Sequence, residues 1–139
     1  MRTTRRWVNH DNEKRPICPT TGRLASVTDP RTWTTLEEAQ HTRQPLGYVL
    51  GNGIGCIDLD HCLDNNGHPN TTAQQIIDHY PGSYIEISPS GHGLHIWGTA
   101  PELAGIRRTW RGQAIEFYSR ARYITVTGRI YQPGDLLPL

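Results

Sequence analysis

An α+β domain built on a mainly antiparallel sheet is what this sequence predicts, and three observations predict it. Short apolar or alternating runs recur at 47–50, 54–59, 84–88, 94–97, 114–118 and 123–127, most of them flanked by Gly, Pro, Asn or Ser, which is the pattern of strands at hairpin spacing. Helix start signals stand at only two places, Thr34 or Thr35 and Thr71 or Thr72. Finally, 139 residues that are 35% hydrophobic and 19% charged, with 14 Gly and 10 Pro, suit one turn-rich globular domain with a single core. The whole of 1–139 is expected to be that domain.

Taken in order, the first 33 residues are polar, with turn signals at Pro16, Pro19-Thr20-Thr21-Gly22 and Asp29-Pro30, and read as short extended pieces. A capping box, Thr34 with Glu37 or Thr35 with Glu38, opens a helix through about His41, because hydroxyl and acid satisfy the amides a helix start leaves unpaired. Gly51-Asn52-Gly53 between the first two strands fits a hairpin turn, since Gly and Asn tolerate positive φ. The second helix runs from Thr71 or Thr72 to about Tyr80, with Ile76, Ile77 and Tyr80 on its apolar stripe, and stops at Pro81-Gly82. Pro89-Ser90-Gly91-His92-Gly93 joins the strands at 84–88 and 94–97. The segment 101–112 reads as an irregular loop, and no internal repeat or low-complexity stretch is present.

Charge and cysteine usage narrow the classes. The net charge is +1, but its order along the chain is uneven. Residues 1–31 hold seven Lys or Arg against three acids; 37–102 hold eight acids and one Arg; 107–129 hold six Arg and one Glu. A basic–acidic–basic order suits phosphates at the edges and metal ions at the centre. The pI of 7.8 is no footprint of strong non-specific DNA binding. No apolar run approaches the roughly 20 residues of a membrane span. The start has no secretory pattern, so a cytoplasmic protein with Cys18, Cys56 and Cys62 reduced is expected.

Three pieces carry chemistry. In Cys56-Ile57-Asp58-Leu59-Asp60 the strand period sends Ile57 and Leu59 to the core and both aspartates to the other face. Their Cα atoms lie about 6.6 Å apart at ~3.3 Å per residue, from which side chains can converge on metal ions about 3.5–4 Å apart. Like charges so placed raise each other's pKa unless a cation neutralises them. Ser88-Pro89-Ser90-Gly91-His92-Gly93-Leu94-His95 follows: Gly91 and Gly93 let backbone amides approach an anion, Ser90 adds a hydroxyl, and His95 can donate to a phosphate oxygen. In Ile115-Glu116-Phe117 an acid again sits between apolar residues, completing an oxygen-rich set suited to Mg²⁺ or Mn²⁺. Cys56, His61, Cys62 and His68 lack paired Cys-x-x-Cys spacing, so zinc is not expected, and His61 is a candidate supporting neighbour of the metal site.

In this order the three pieces resemble the motifs of the archaeo-eukaryotic primase superfamily, and more narrowly the primase-polymerase domains of phage and plasmid replication proteins. Lys14-Arg15-Pro16, Asp29-Pro30-Arg31-Thr32-Trp33, Gly47-Tyr48-Val49-Leu50 and Arg122-Tyr123-Ile124-Thr125-Val126-Thr127-Gly128 extend the likeness over roughly 7–128. The resemblance implies a palm-like sheet related to the RNA-recognition fold, fronted by a smaller N-terminal α/β portion. It assigns Asp58, Asp60 and Glu116 to two divalent ions, Mg²⁺ or Mn²⁺, and Ser90, Gly91 and His95 to the phosphates of an incoming NTP or dNTP. Arg122 becomes a phosphate contact; Lys14, Arg15 and Trp110, the last set among arginines, become candidate DNA contacts. The implied activity is template-directed nucleotidyl transfer as DNA primase, DNA polymerase or both, on single-stranded DNA in a host-cell cytoplasm. A replicative helicase in cis or in trans is the implied partner. The family's accessory helical and helicase regions have no counterpart in 1–139.

Two other classes stay open. A relaxase or rolling-circle nuclease needs two histidines flanking one apolar residue on a strand and a nucleophilic tyrosine; His92 and His95 have two residues between them, and Tyr118 and Tyr123 lie on strands where packing is the commoner fate. A non-catalytic nucleic-acid-binding module would stack bases on exposed sheet aromatics, where this sequence places acids.

Overall fold

The computed structural model describes all 139 residues. The chain divides into two compact units, one formed by 1–50 with 121–126 and the other by 51–120 with 127–139. Both are mostly antiparallel sheet with few helices, in agreement with the expected α+β class.

The first unit carries β1 (Trp7–His10), β2 (Pro16–Ile17), α1 (Leu36–His41), β3 (Leu46–Val49) and β9 (Tyr123–Val126), with a 3₁₀ turn at Pro30–Thr32. Its four strands run β2-β1-β3-β9, all antiparallel. Val8, Trp33 and Val49 form the core, and the Arg6 guanidinium lies 4.6 Å from the centre of the Trp33 ring. Of the two capping boxes open to the sequence, the chain uses Thr35 with Glu38: the Thr35 hydroxyl accepts from Glu38 N at 3.2 Å.

The second unit carries β4 (Ile54–Leu59), α2 (Thr71–Asp78), β5 (Tyr84–Ile87), β6 (Leu94–Thr99), β7 (Ile106–Trp110), β8 (Gln113–Tyr118), β10 (Ile130–Gln132) and β11 (Leu137–Pro138). Six strands lie in the order β10-β5-β6-β4-β8-β7, and β11 adds in parallel to β6. One sheet face is apolar. Ile57, Leu59, Ile85, Leu94 and Ile96 pack there with Ala73, Ile76 and Ile77 of α2 and with Cys62 and Leu63. Burial of these side chains stabilises the unit by roughly 1.5–3 kcal/mol for each large aliphatic residue. The period of two then sends every intervening residue of β4, β5, β6 and β8 to the opposite face, where the site is built. No helix is long and apolar enough to cross a membrane.

Three expectations are corrected. β3 and β4 are not a hairpin: Asn52 and Gly53 make the positive-φ turn, with φ of 54° and 86°, and Gly51 bridges Ile54, but β3 pairs with β1 and β9 while β4 pairs with β6 and β8. The turn chemistry is local, whereas each strand's partners are set by its buried faces. The second helix is capped by Asn70, whose side chain accepts from Ala73 N at 2.8 Å, not by Thr71 or Thr72. Finally, the segment 101–112 is not all loop. Ile106–Trp110 is an edge strand, concealed in the sequence because all five of its residues are exposed and no apolar alternation marks it.

Candidate active site

Five strands of the second unit each place one polar residue on the same line across the sheet. In register these are Arg107 on β7, Glu116 on β8, Asp58 on β4, His95 on β6 and Glu86 on β5. Directly opposed residues on paired strands have Cβ atoms about 5 Å apart, so each group has the next within reach. The line combines the acid of the first motif, the histidine of the second and the acid of the third.

Their contacts are specific. His95 Nε2 lies 3.6 Å from Asp58 Oδ1, with side chains 7% and 16% exposed. Glu116 Oε2 accepts from the Tyr118 hydroxyl at 2.9 Å, and Glu116 Oε1 lies 3.3 Å from Arg107 Nε. The Tyr118 hydroxyl, and then the charge of Glu116, hold the exposed Arg107 guanidinium more firmly protonated than usual. On the neighbouring line of this face Tyr118, Cys56, Trp97 and Tyr84 stand in register. Burial, and then the charges of Asp58 and Glu86, push the Cys56 thiol well up. Burial likewise moves Cys62 to about 11.

Asp60 stands apart from this line. β4 ends at Leu59, so Asp60 falls in the following turn and is exposed, and His61 beside it is exposed with φ of 49°. The turn is nevertheless pinned. Gln113 Nε2 donates to the Asp60 carbonyl at 2.6 Å, and Gln113 Oε1 accepts from Asn70 Nδ2 at 2.9 Å. No three His, Cys, Asp or Glu side chains are gathered in ligand geometry. Asp58 and Glu116, in register on facing strands, bring carboxylate oxygens of the kind a hard divalent cation takes to one face, and Asp60 lies off that line in the turn.

The Ser90 turn has its own internal order. Gly91 N donates to Ser88 O at 3.0 Å, His92 N to Ser90 Oγ at 3.1 Å and Gly93 N to Ser88 Oγ at 3.1 Å. The amides expected to approach an anion are therefore committed within the turn, because a short hairpin satisfies its own backbone. Gly93 serves close packing instead: a Cβ there would meet Leu59 O and Ser88 Oγ at 2.8 Å. Ser90 keeps a hydroxyl proton to donate, shared at 3.1 Å with Ser88 Oγ.

The remaining candidates lie elsewhere. Trp110 ends β7, 38% exposed, with the Arg111 guanidinium 4.7 Å from its ring centre at the Arg111-Gly112 turn. Arg122, Lys14 and Arg15 belong to the first unit. Arg122 is exposed just before β9, with its carbonyl accepting from Leu50 N. Arg15 pairs with Asp11 at 2.7 Å, and the Lys14 carbonyl accepts from the Tyr123 hydroxyl.

No family model matches the chain. It is 36% identical over 140 residues, covering 93% of its own length, to the DNA Primase-polymerase of Nitratiruptor phage NrS-1. The chain is related to a phage DNA primase-polymerase. It spans 19% of that protein's length.

Beside the motif residues shared with the resemblance to primase-polymerases, the structure brings in side chains that the sequence did not assign to this site. Arg107 and Tyr118 hold Glu116, and Gln113 holds the Asp60 turn. Nothing local singles out Gln113, since its partners Asn70 and Asp60 are 43 and 53 residues away. Arg107 was legible only as one arginine among several, because the edge strand that aligns it with Glu116 was read as loop.

Proposed function

We propose that the chain is a primase-polymerase catalytic core, with the sheet of the second unit as its palm, that performs template-directed nucleotidyl transfer in phage or plasmid DNA replication. The observation that carries this is the register of Glu116, Asp58 and His95 on three adjacent strands, in a chain related to a DNA primase-polymerase. Asp58, Asp60 and Glu116 would hold two divalent ions, Mg²⁺ or Mn²⁺. When bound, such ions lower the pKa of a primer 3′-hydroxyl and neutralise a triphosphate.

The chain's own residues do the rest by positioning. His95, its Nε2 3.6 Å from Asp58 Oδ1, is proposed as a phosphate contact, and Ser90 offers its hydroxyl at the turn leading into the same strand. Gly91, φ +82°, allows that turn. Arg122 is proposed as a triphosphate contact and Lys14 and Arg15 as template contacts. The β7–β8 hairpin, with Arg107, Arg108, Arg111 and Trp110, offers charge and a ring to single-stranded DNA. NTP or dNTP is the substrate and a replicative helicase the proposed partner.

The alternatives draw no support from the geometry. His92 lies in the turn and not on the strand with His95, and the Tyr118 hydroxyl is engaged with Glu116. Two of the aromatic rings of this face, Trp97 at 1% and Tyr118 at 8% exposure, are too buried to stack bases, and the Tyr84 hydroxyl is engaged with Glu86.

The test is incorporation of labelled nucleotides on primed and unprimed single-stranded DNA with Mg²⁺ or Mn²⁺. Metal-dependent products are expected, falling to background in Asp58→Ala and Asp60→Ala while circular dichroism stays that of the wild type. Products on unprimed template would define a primase. Wild-type activity in either folded variant would rule the assignment out.

A further inference from the structure

Glu86 is 1% exposed, and a carboxylate so buried is costly unless its oxygens are paired. It stands in the site's line beside His95, yet its partners lie elsewhere. The Tyr84 hydroxyl donates to it at 2.7 Å, and the backbone N–H groups of Thr127 and Gly128 donate at 3.0 and 3.1 Å. Successive amides can aim at one carboxylate here because Gly128 takes a φ of 71°. Thr127 adds a second tie, its hydroxyl donating to Ile87 O at 2.7 Å and accepting from Arg129 N at 3.2 Å. Ile87 N in turn donates to Arg129 O at 2.8 Å. Glu86 therefore fixes the backbone that delivers Arg129.

The Arg129 guanidinium reaches the Ser90 turn. Nη2 donates to the carbonyls of Ser88 and Pro89, the latter at 3.0 Å, and Nη1 lies 4.0 Å from where a side chain on Gly91 would begin. The other end of the turn is held from the Asp60 side, where His92 O accepts from Cys62 N at 2.8 Å and Leu63 N at 2.9 Å. With the Gly91, His92 and Gly93 amides committed internally, the Arg129 guanidinium holds the turn through its carbonyls. We propose that Arg129, set in place by Glu86, is a positioning residue for the incoming nucleotide, fixing the 88–93 turn so that Ser90 meets the polyphosphate and adding positive charge beside Gly91. This rests on the nucleotidyl-transfer reading above.

Two measurements test it. On primed DNA with Mn²⁺ and varied nucleotide, Arg129→Ala should raise the nucleotide KM by about tenfold, the scale of a lost charge-assisted hydrogen bond, with kcat changed less than about threefold. Arg129→Lys, which keeps a cation and donors, should recover part of the loss. Hydrogen exchange reads the clamp without activity: Gly91 and Gly93 amides should exchange faster in Arg129→Ala, while those of Ile57 and Ile96 keep their wild-type rates. A KM unchanged in Arg129→Ala, or a loss confined to kcat, overturns the proposal. Should the wild type incorporate nothing, the nucleotidyl-transfer reading falls and takes the nucleotide role with it. Exchange then decides the clamp alone, and unchanged Gly91 and Gly93 rates overturn that too.

Discussion

At the scale of single residues, the site is a competition for carboxylates. Glu116 has one oxygen bound by Tyr118 and the other facing Arg107, so a cation that takes Glu116 competes with a guanidinium that is 72% exposed. An exposed ion pair of this kind is weak, because water screens it. Arg107→Ala should therefore lower the Mn²⁺ concentration needed for half-maximal incorporation, by no more than about fivefold. A metal titration of activity in the two proteins checks the direction, and a higher requirement in the variant would show that Arg107 assists the site. Asp58, Glu116 and His95 were legible as candidates because acids or a histidine interrupt apolar runs at strand period. Their mutual register was not, because pairing between strands 37 and 58 residues apart leaves no local trace.

Among the elements, strands with a buried face were readable and the one without was not. β4, β5, β6 and β8 alternate because one side packs on α2, whereas β7 is exposed throughout and carries no such pattern. The cap of α2 shows a different limit. Asn70, Thr71 and Thr72 are all competent cap residues, and the choice falls on Asn70, whose Nδ2 also reaches Gln113. That double use makes a prediction at this scale. Asn70→Ala removes the cap, costing about 1 kcal/mol of stability, and loosens Gln113 beneath the Asp60 turn. Denaturant unfolding should register the first effect and incorporation the second. Asn70→Asp keeps the cap acceptor but not the donor to Gln113, so it should restore stability more fully than activity.

For the whole molecule, the chain's path is discontinuous. It leaves the first unit at Leu50, returns for 121–126 and leaves again. β9 completes the first sheet by pairing along the whole of β3, and Gly47 is kept small because a Cβ there would strike the Tyr123 ring. A fragment ending at Leu50 lacks that strand and should be unfolded by circular dichroism; a folded fragment would show that β9 is dispensable. The sequence reads as one domain, whereas the contacts of the chain fall into two compact units, the first of which takes in 121–126 as well as 1–50. That β9, third from last of the strands, pairs with β3 was hidden, since nothing in Tyr123–Val126 names its partner.

The line Arg107–Glu116–Asp58–His95–Glu86 has a further consequence, for the kinds of change this protein tolerates. Each strand contributes one residue to it, and the register of side chains repeats every two. Lengthening a connection such as 64–69 leaves all five strands in step. Deleting a single residue inside β4 does not: Ile57 or Leu59 moves into the place of Asp58, an acid turns into the core, and the packing against α2 is lost with the chemistry. Natural or designed variants should therefore differ in length freely between the strands of this sheet and almost never within them.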